Sequence, residues 1–263
     1  MADEATASPV TAAPRERAVV WSCALVIAAL AWGYLVHLER AMAGAMAHEA
    51  MMTGMGMAMP WSLADFAFIF SMWAVMMIAM MAPAAAPVLL LVAGARARRG
   101  ARSRLSLPGF ALGYAIVWLG FSLAAALAQR MLHDAALLSP QMAAASSRLS
   151  GGLLVAAGVY QLLPIKGACL VRCRSPLAFL MTRWRDGPIG ALQMGMRHGT
   201  WCLGCCWALM IVLFAVGVMN LVAVAVLALF VLAEKTGPAG VLLARIGGIG
   251  LIAAGLAVFI LTA

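Results

Sequence analysis

Long apolar runs separated by short clusters of arginine and lysine set the organisation of this chain. A bilayer crossing takes about 20 residues of helix. Runs of that kind cover roughly 18–38, 66–94, 107–130, 148–164, 190–216, 218–233 and 240–261. The pattern predicts an all-α, polytopic membrane bundle of about seven transmembrane helices. The stretch from Trp201 to Ala233 exceeds one crossing, and Gly217 with the polar Asn220 supplies a turn, so the division falls there. Pro83 and Pro87 each remove a backbone hydrogen bond in the second run and predict a bend near Met80.

Composition agrees with the pattern. Hydrophobic residues make up 65% of the 263 residues and charged residues 10%, whereas a soluble domain is about 45–50% apolar. The mean hydropathy is +1.01. The net charge of +9 is not a nucleic-acid signal, because the cations cluster between the apolar runs. Arg15 and Arg17 precede the first run, and Arg96, Arg98, Arg99, Arg102 and Arg104 follow the second. Lys166, Arg172, Arg174, Arg183 and Arg185 follow the fourth, and Lys235 the sixth. By the positive-inside rule these segments face the cytoplasm, which puts the N-terminus inside and the C-terminus outside. Residues 1–17 then read as a cytoplasmic tail and 18–263 as one transmembrane domain, with 39–60 an outer loop. A secretory signal is disfavoured by Asp3, Glu4 and Glu16 and by an apolar run longer than a signal core, so the first run reads as a retained anchor. There is no internal repeat and no phosphate-cradling G-x-x-x-x-G-K-[ST] loop, which argues against ATP-driven pumping by this chain alone.

Four clusters carry candidate chemistry. The outer loop holds Met42, Met46, His48, Met51, Met52, Met55, Met57 and Met59, whose thioethers would collect Cu(I) where free thiols oxidise; apolar filling of an interfacial segment is the plain alternative. The second run carries Met72, Met76 and Met80 on one helical stripe, with Met77 and Met81 on the next, and packing explains such a stripe as readily as ligation does. Cys169 and Cys173 lie among Lys166, Arg172 and Arg174, a cationic surrounding that favours the thiolate, the form that binds metal or attacks a disulfide. His198, Cys202, Cys205 and Cys206 share one helix face in the fifth run. With Arg197 at the inner boundary, Cys205 lies about 12 Å deeper. Adjacent Cys205 and Cys206 diverge by about 100° on a regular helix, so one of them, with Cys202 and His198, forms the inner set. Met76 or Met80 completes it, and Gly199 and Gly204 admit the second helix at close range. Cys23, His37 and His133 read as inert or solvated. Glu234, at the inner face, would pair with Lys166 or lie in the surroundings of Lys235.

The combination Tyr160-Gln161, Lys166, Cys169-Leu170, Cys173-Arg174, Pro176, Gly195, His198-Gly199, Cys202, Gly204-Cys205-Cys206-Trp207, Leu209-Met210, Gly217, Met219-Asn220 and Glu234-Lys235 resembles a bacterial family of integral membrane proteins described only as predicted metal-binding. The segment Ala79-Met80-Met81-Ala82-Pro83 with Pro87 is similar to that family's earlier part, and the resemblance covers roughly 61–235. It implies a multi-pass protein of the bacterial cytoplasmic (inner) membrane. The residues predict a non-enzymatic protein that binds a soft transition metal, Cu(I) in preference to Zn, and handles or moves it between periplasm and cytoplasm. Its partners would be the bilayer, the metal ion and a metallochaperone or membrane subunit. Two other readings remain: a membrane thiol-disulfide oxidoreductase using Cys202-x-x-Cys205, and a non-catalytic assembly subunit with a structural metal.

Overall fold

A computed structural model describes residues 13–54, 62–98, 106–139, 142–175 and 184–261, with the side chains of 42–54 and 96–98 outside the description. The described residues form eight α-helices: α1 (Pro14–Gly54), α2 (Leu63–Arg98), α3 (Ser106–Asp134), α4 (Ser147–Leu162), α5 (Pro164–Arg174), α6 (Gly187–Val216), α7 (Leu221–Thr236) and α8 (Gly240–Leu261). Five are long and apolar enough to cross a membrane: α1 over Pro14–Ala41, α2 over Leu63–Ala95, and α3, α6 and α8 over their full lengths. Helices α4 and α5 meet at 63° and count as a sixth span if taken together. The protein is thus an all-α, multi-pass membrane protein with five to six candidate spans, against the seven predicted from hydropathy. The difference lies in α7 and α4, each of 16 residues, which reach about 24 Å, short of the roughly 30 Å hydrocarbon core, so that α4 counts only together with α5.

Local sequence explains the breaks. Leu163 is extended (φ −67, ψ 143) and Pro164 opens α5. Proline disfavours helical geometry in the residue before it yet suits a first helical position, so the chain bends and restarts. The segment expected as a basic cytoplasmic loop therefore begins as a helix whose Lys166, Cys169, Leu170 and Cys173 are buried. Their i, i+3, i+4, i+7 spacing puts them on one face. Helix α6 stops where expected: Gly217 turns the chain at φ 103, and the Asn220 side chain accepts a hydrogen bond from the Ala223 amide at 3.1 Å to cap α7. Helix α2 starts in a reciprocal cap between Ser62 and Asp65 and runs as one helix that contains Pro83 and Pro87. Helix α1 continues to Gly54 through much of the predicted outer loop. Met42, Met46, Met51 and Met52 ride on its backbone, and Met55, Met57 and Met59 lie outside the described residues.

The most extensive helix pairings are α3 with α6 and α4 with α8. Small residues make the first one close: a Cβ on Gly195 would sit on the Phe110 carbonyl oxygen, and one on Gly113 would sit on that of Leu192. The largest buried cluster then joins the α2 methionines and Trp73 to Leu209, Met210, Leu213 and Phe214 of α6. All three cysteines of α6 lie at its edge.

A buried sulfur cluster as the candidate metal centre

Cys202 lies near the middle of α6, about 20 Å from either end at 1.5 Å per residue. Helix α6 begins at Gly187, ten residues before Arg197. His198, Cys202, Cys205 and Cys206 are all buried, as one helix face facing the bundle requires. Cys205 and Cys206 both donate through their thiols to the Cys202 carbonyl at 3.0 Å, so the two diverging side chains are anchored to one turn. From α5, Cys173 lies in the neighbourhood of Cys202 and Cys205. Cys169 lies against Gly204, where a Cβ would come within 2.9 Å of its sulfur. Four thiols from two helices thus adjoin, with a fifth beside them.

An ammonium group stands among them. Lys235, near the end of α7 and only 8% exposed, donates to Cys202 Sγ at 3.0 Å, to Met81 Sδ at 3.3 Å and to Cys206 Sγ at 3.6 Å. The Tyr114 hydroxyl shares a 3.0 Å hydrogen bond with Cys202 Sγ, and the Trp118 ring lies 6.0 Å from the ammonium. Two thiols and one thioether from α6 and α2 therefore surround a single positive centre delivered by α7.

A second buried ionic group adjoins it. Lys166 Nζ meets Glu234 Oε1 at 2.6 Å, both side chains being almost fully enclosed. Gln161 bridges them, donating to Glu234 at 3.1 Å and accepting from Lys166. Of the two partners open to Glu234 in the sequence, the structure supplies Lys166. The last turn of α7 thus sends Glu234 toward α4 and α5, and Lys235 toward the sulfurs.

Other expected neighbours are placed differently. Arg172 stacks over Trp201 at 4.5 Å and Arg174 donates to the Gly237 carbonyl at 2.5 Å, so the cationic heads near Cys169 and Cys173 engage other partners. The His198 ring packs on Phe110 and Tyr114 at 5.9 and 6.0 Å. Met76 and Met80 are buried in the α2 core, and the α2 sulfur that reaches the ammonium is Met81. Gly199 faces Val117 of α3 and Gly204 faces Cys169 of α5, so these glycines admit α3 and α5 where α2 was expected. Among the described residues, no three His, Cys, Asp or Glu side chains stand as a group able to hold a metal ion. All six cysteines are free thiols, Cys23 exposed and the others buried. Lys235 and Met81 were missed as site residues; a lysine closing a 16-residue apolar helix was the one signal that pointed to a buried charge.

A cavity of about 510 Å³ opens between α1, α2 and α3, and its mostly apolar walls include Met81, Tyr114, Trp118 and His198. The three sulfurs that meet Lys235 are soft donors, two thiols and one thioether, of the kind that suits Cu(I).

Among curated proteins and solved structures nothing matches the chain. The PpoB2 family, described as a copper chaperone, matches residues 70–258, which take in α3 to α7 whole, most of α2 and α8, and every residue of the sulfur cluster. With more than half of its length matched, the chain belongs to the PpoB2 copper chaperone family.

Proposed function

We propose that this protein carries Cu(I) within the membrane on Cys202, Cys206 and Met81, with Cys205 and Cys173 as the next thiols in line. The observation that carries this reading is the convergence of those three sulfurs on one buried cation, Lys235 Nζ, at 3.0, 3.6 and 3.3 Å. Sulfurs already arranged around a positive charge need little rearrangement to receive a soft monovalent metal. Copper enters through the cavity whose walls include Met81 and His198 and leaves toward Cys173 and Cys169 on α5. A chain of exchangeable sulfurs passes copper without ever releasing it as a free ion. Each thiol that takes the metal gives its proton to water or to the departing ligand. The extended methionine-bearing end of α1 is the collecting segment in this reading.

Copper content of the detergent-purified full chain tests it. Wild type is expected to hold about one Cu(I) per chain and Cys202→Ser to lose most of it, while Cys23→Ser, altered on the exposed face of α1, keeps it all. Equal copper in Cys202→Ser and wild type overturns the assignment. The same reading puts the protein in a bacterial cytoplasmic membrane with residues 1–17 inside, because arginine and lysine gather at 15–17, 96–104 and 166–185. A cysteine introduced at Ser103 is then labelled by an impermeant maleimide only after the membrane is opened. Labelling in intact cells reverses the direction.

A further inference from the structure

Lys235 does not belong to a sulfur site by default. Lysine in a membrane interior is costly, and its ordinary solution is to reach an interface or pair with a carboxylate. Here the neighbouring Glu234 is already taken by Lys166 at 2.6 Å, and that pair is neutral as a unit. The Lys235 ammonium instead rests on Cys202, Cys206 and Met81, and the Tyr114 hydroxyl also meets Cys202. Its charge is therefore the one uncompensated charge in contact with these sulfurs among the described residues.

We propose that Lys235 is the residue that selects a monovalent metal, by fixing the charge that the site can accept. The inference rests on the copper site proposed above and adds to it a reason for the choice of ion. Loading removes two protons, one from Cys202 and one from Cys206, and leaves two thiolates. Two thiolates, one ammonium and one Cu(I) sum to zero, with Met81, Tyr114 and the His198 ring uncharged. With the same two thiolates, Zn(II) leaves a net positive charge that the low-dielectric interior does not solvate, and neutrality then costs a third proton, from the Cys205 thiol. No oxidant or reductant enters the scheme, since copper arrives and leaves as Cu(I). The ammonium is thus a positioning and specificity-determining group and not a ligand. It need only swing off the line between the sulfurs, and its flexible four-carbon stem permits that.

The test is a metal competition on the detergent-purified full chain, reading bound metal directly. Wild type is expected to prefer Cu(I) and Ag(I) over Zn(II) and Cd(II). Lys235→Met and Lys235→Gln shift that preference toward the divalent ions by roughly tenfold or more, the scale set by one unit charge at contact distance. Lys235→Arg keeps the wild-type preference. An unchanged ratio in both neutral variants, with metal still bound, overturns the role of Lys235 and leaves the copper site standing. A wild-type chain that binds no Cu(I) removes the site itself. The wild type alone also bears on the proposal, should the neutral variants fail to fold: Ag(I) must displace Cu(I), and Cd(II) must not. Displacement by Cd(II) at matched concentration contradicts charge selection.

Discussion

At the scale of single residues, the chemistry is set by how few partners a buried charge has. Lys166 and Glu234 are bound to each other and to Gln161, with both charged side chains almost fully enclosed. Breaking a buried pair leaves the survivor uncompensated, at a cost of about 3–5 kcal/mol. Glu234→Ala is therefore expected to lower the thermal stability of the purified protein by that order. The double variant Lys166→Met with Glu234→Leu should recover most of the loss, because no charge then remains unpaired. A Glu234→Ala protein as stable as wild type would mean that the pair is not buried as described. Residue-level reading of the sequence succeeded where contacts are local. His198, Cys202, Cys205 and Cys206 share a face because the helical period alone dictates it. It failed where contacts are distant: Lys235 meets Met81 across 154 positions and Cys202 across 33, and no local pattern encodes either approach.

At the scale of elements, the break between α6 and α7 was legible because glycine and asparagine act on the backbone at their own positions. Helix α5 was not. Its run Pro164–Arg174 holds three cations and little apolar length, so hydropathy reads it as a loop, while its burial depends on the space that Gly204 leaves on another helix. The extension of α1 to Gly54 was hidden for a similar reason, since the alanine and methionine that favour helix were weighed as ligands and linker. Contact between α3 and α6 rests on Gly113 and Gly195, whose missing side chains let the backbones touch. Gly195→Val must push α3 away, and with it Tyr114 and its hydrogen bond to Cys202. The expected result is a lower melting temperature together with weaker copper retention. Unchanged values for both would show that the two helices are not in backbone contact.

At the scale of the whole molecule, five or six candidate spans surround a mid-helix cluster of sulfurs, with a cavity lined in part by Met81 and with the cysteines of α5 close by. The class of protein and the softness of its cargo were readable from composition and cysteine spacing. Which sulfurs meet depended on three helices packing around α6, and packing at that range is decided by shape and not by pattern. In the copper site proposed here, two thiolates and one thioether, with no imidazole, hold Cu(I) in the bundle interior. X-ray absorption at the copper edge of the loaded, detergent-purified chain measures this most directly. The expected spectrum is that of Cu(I) with sulfur as its whole first shell, losing one sulfur in Met81→Leu. A first shell containing histidine nitrogen, or one unaffected by changes at both Met81 and Cys206, would contradict the account.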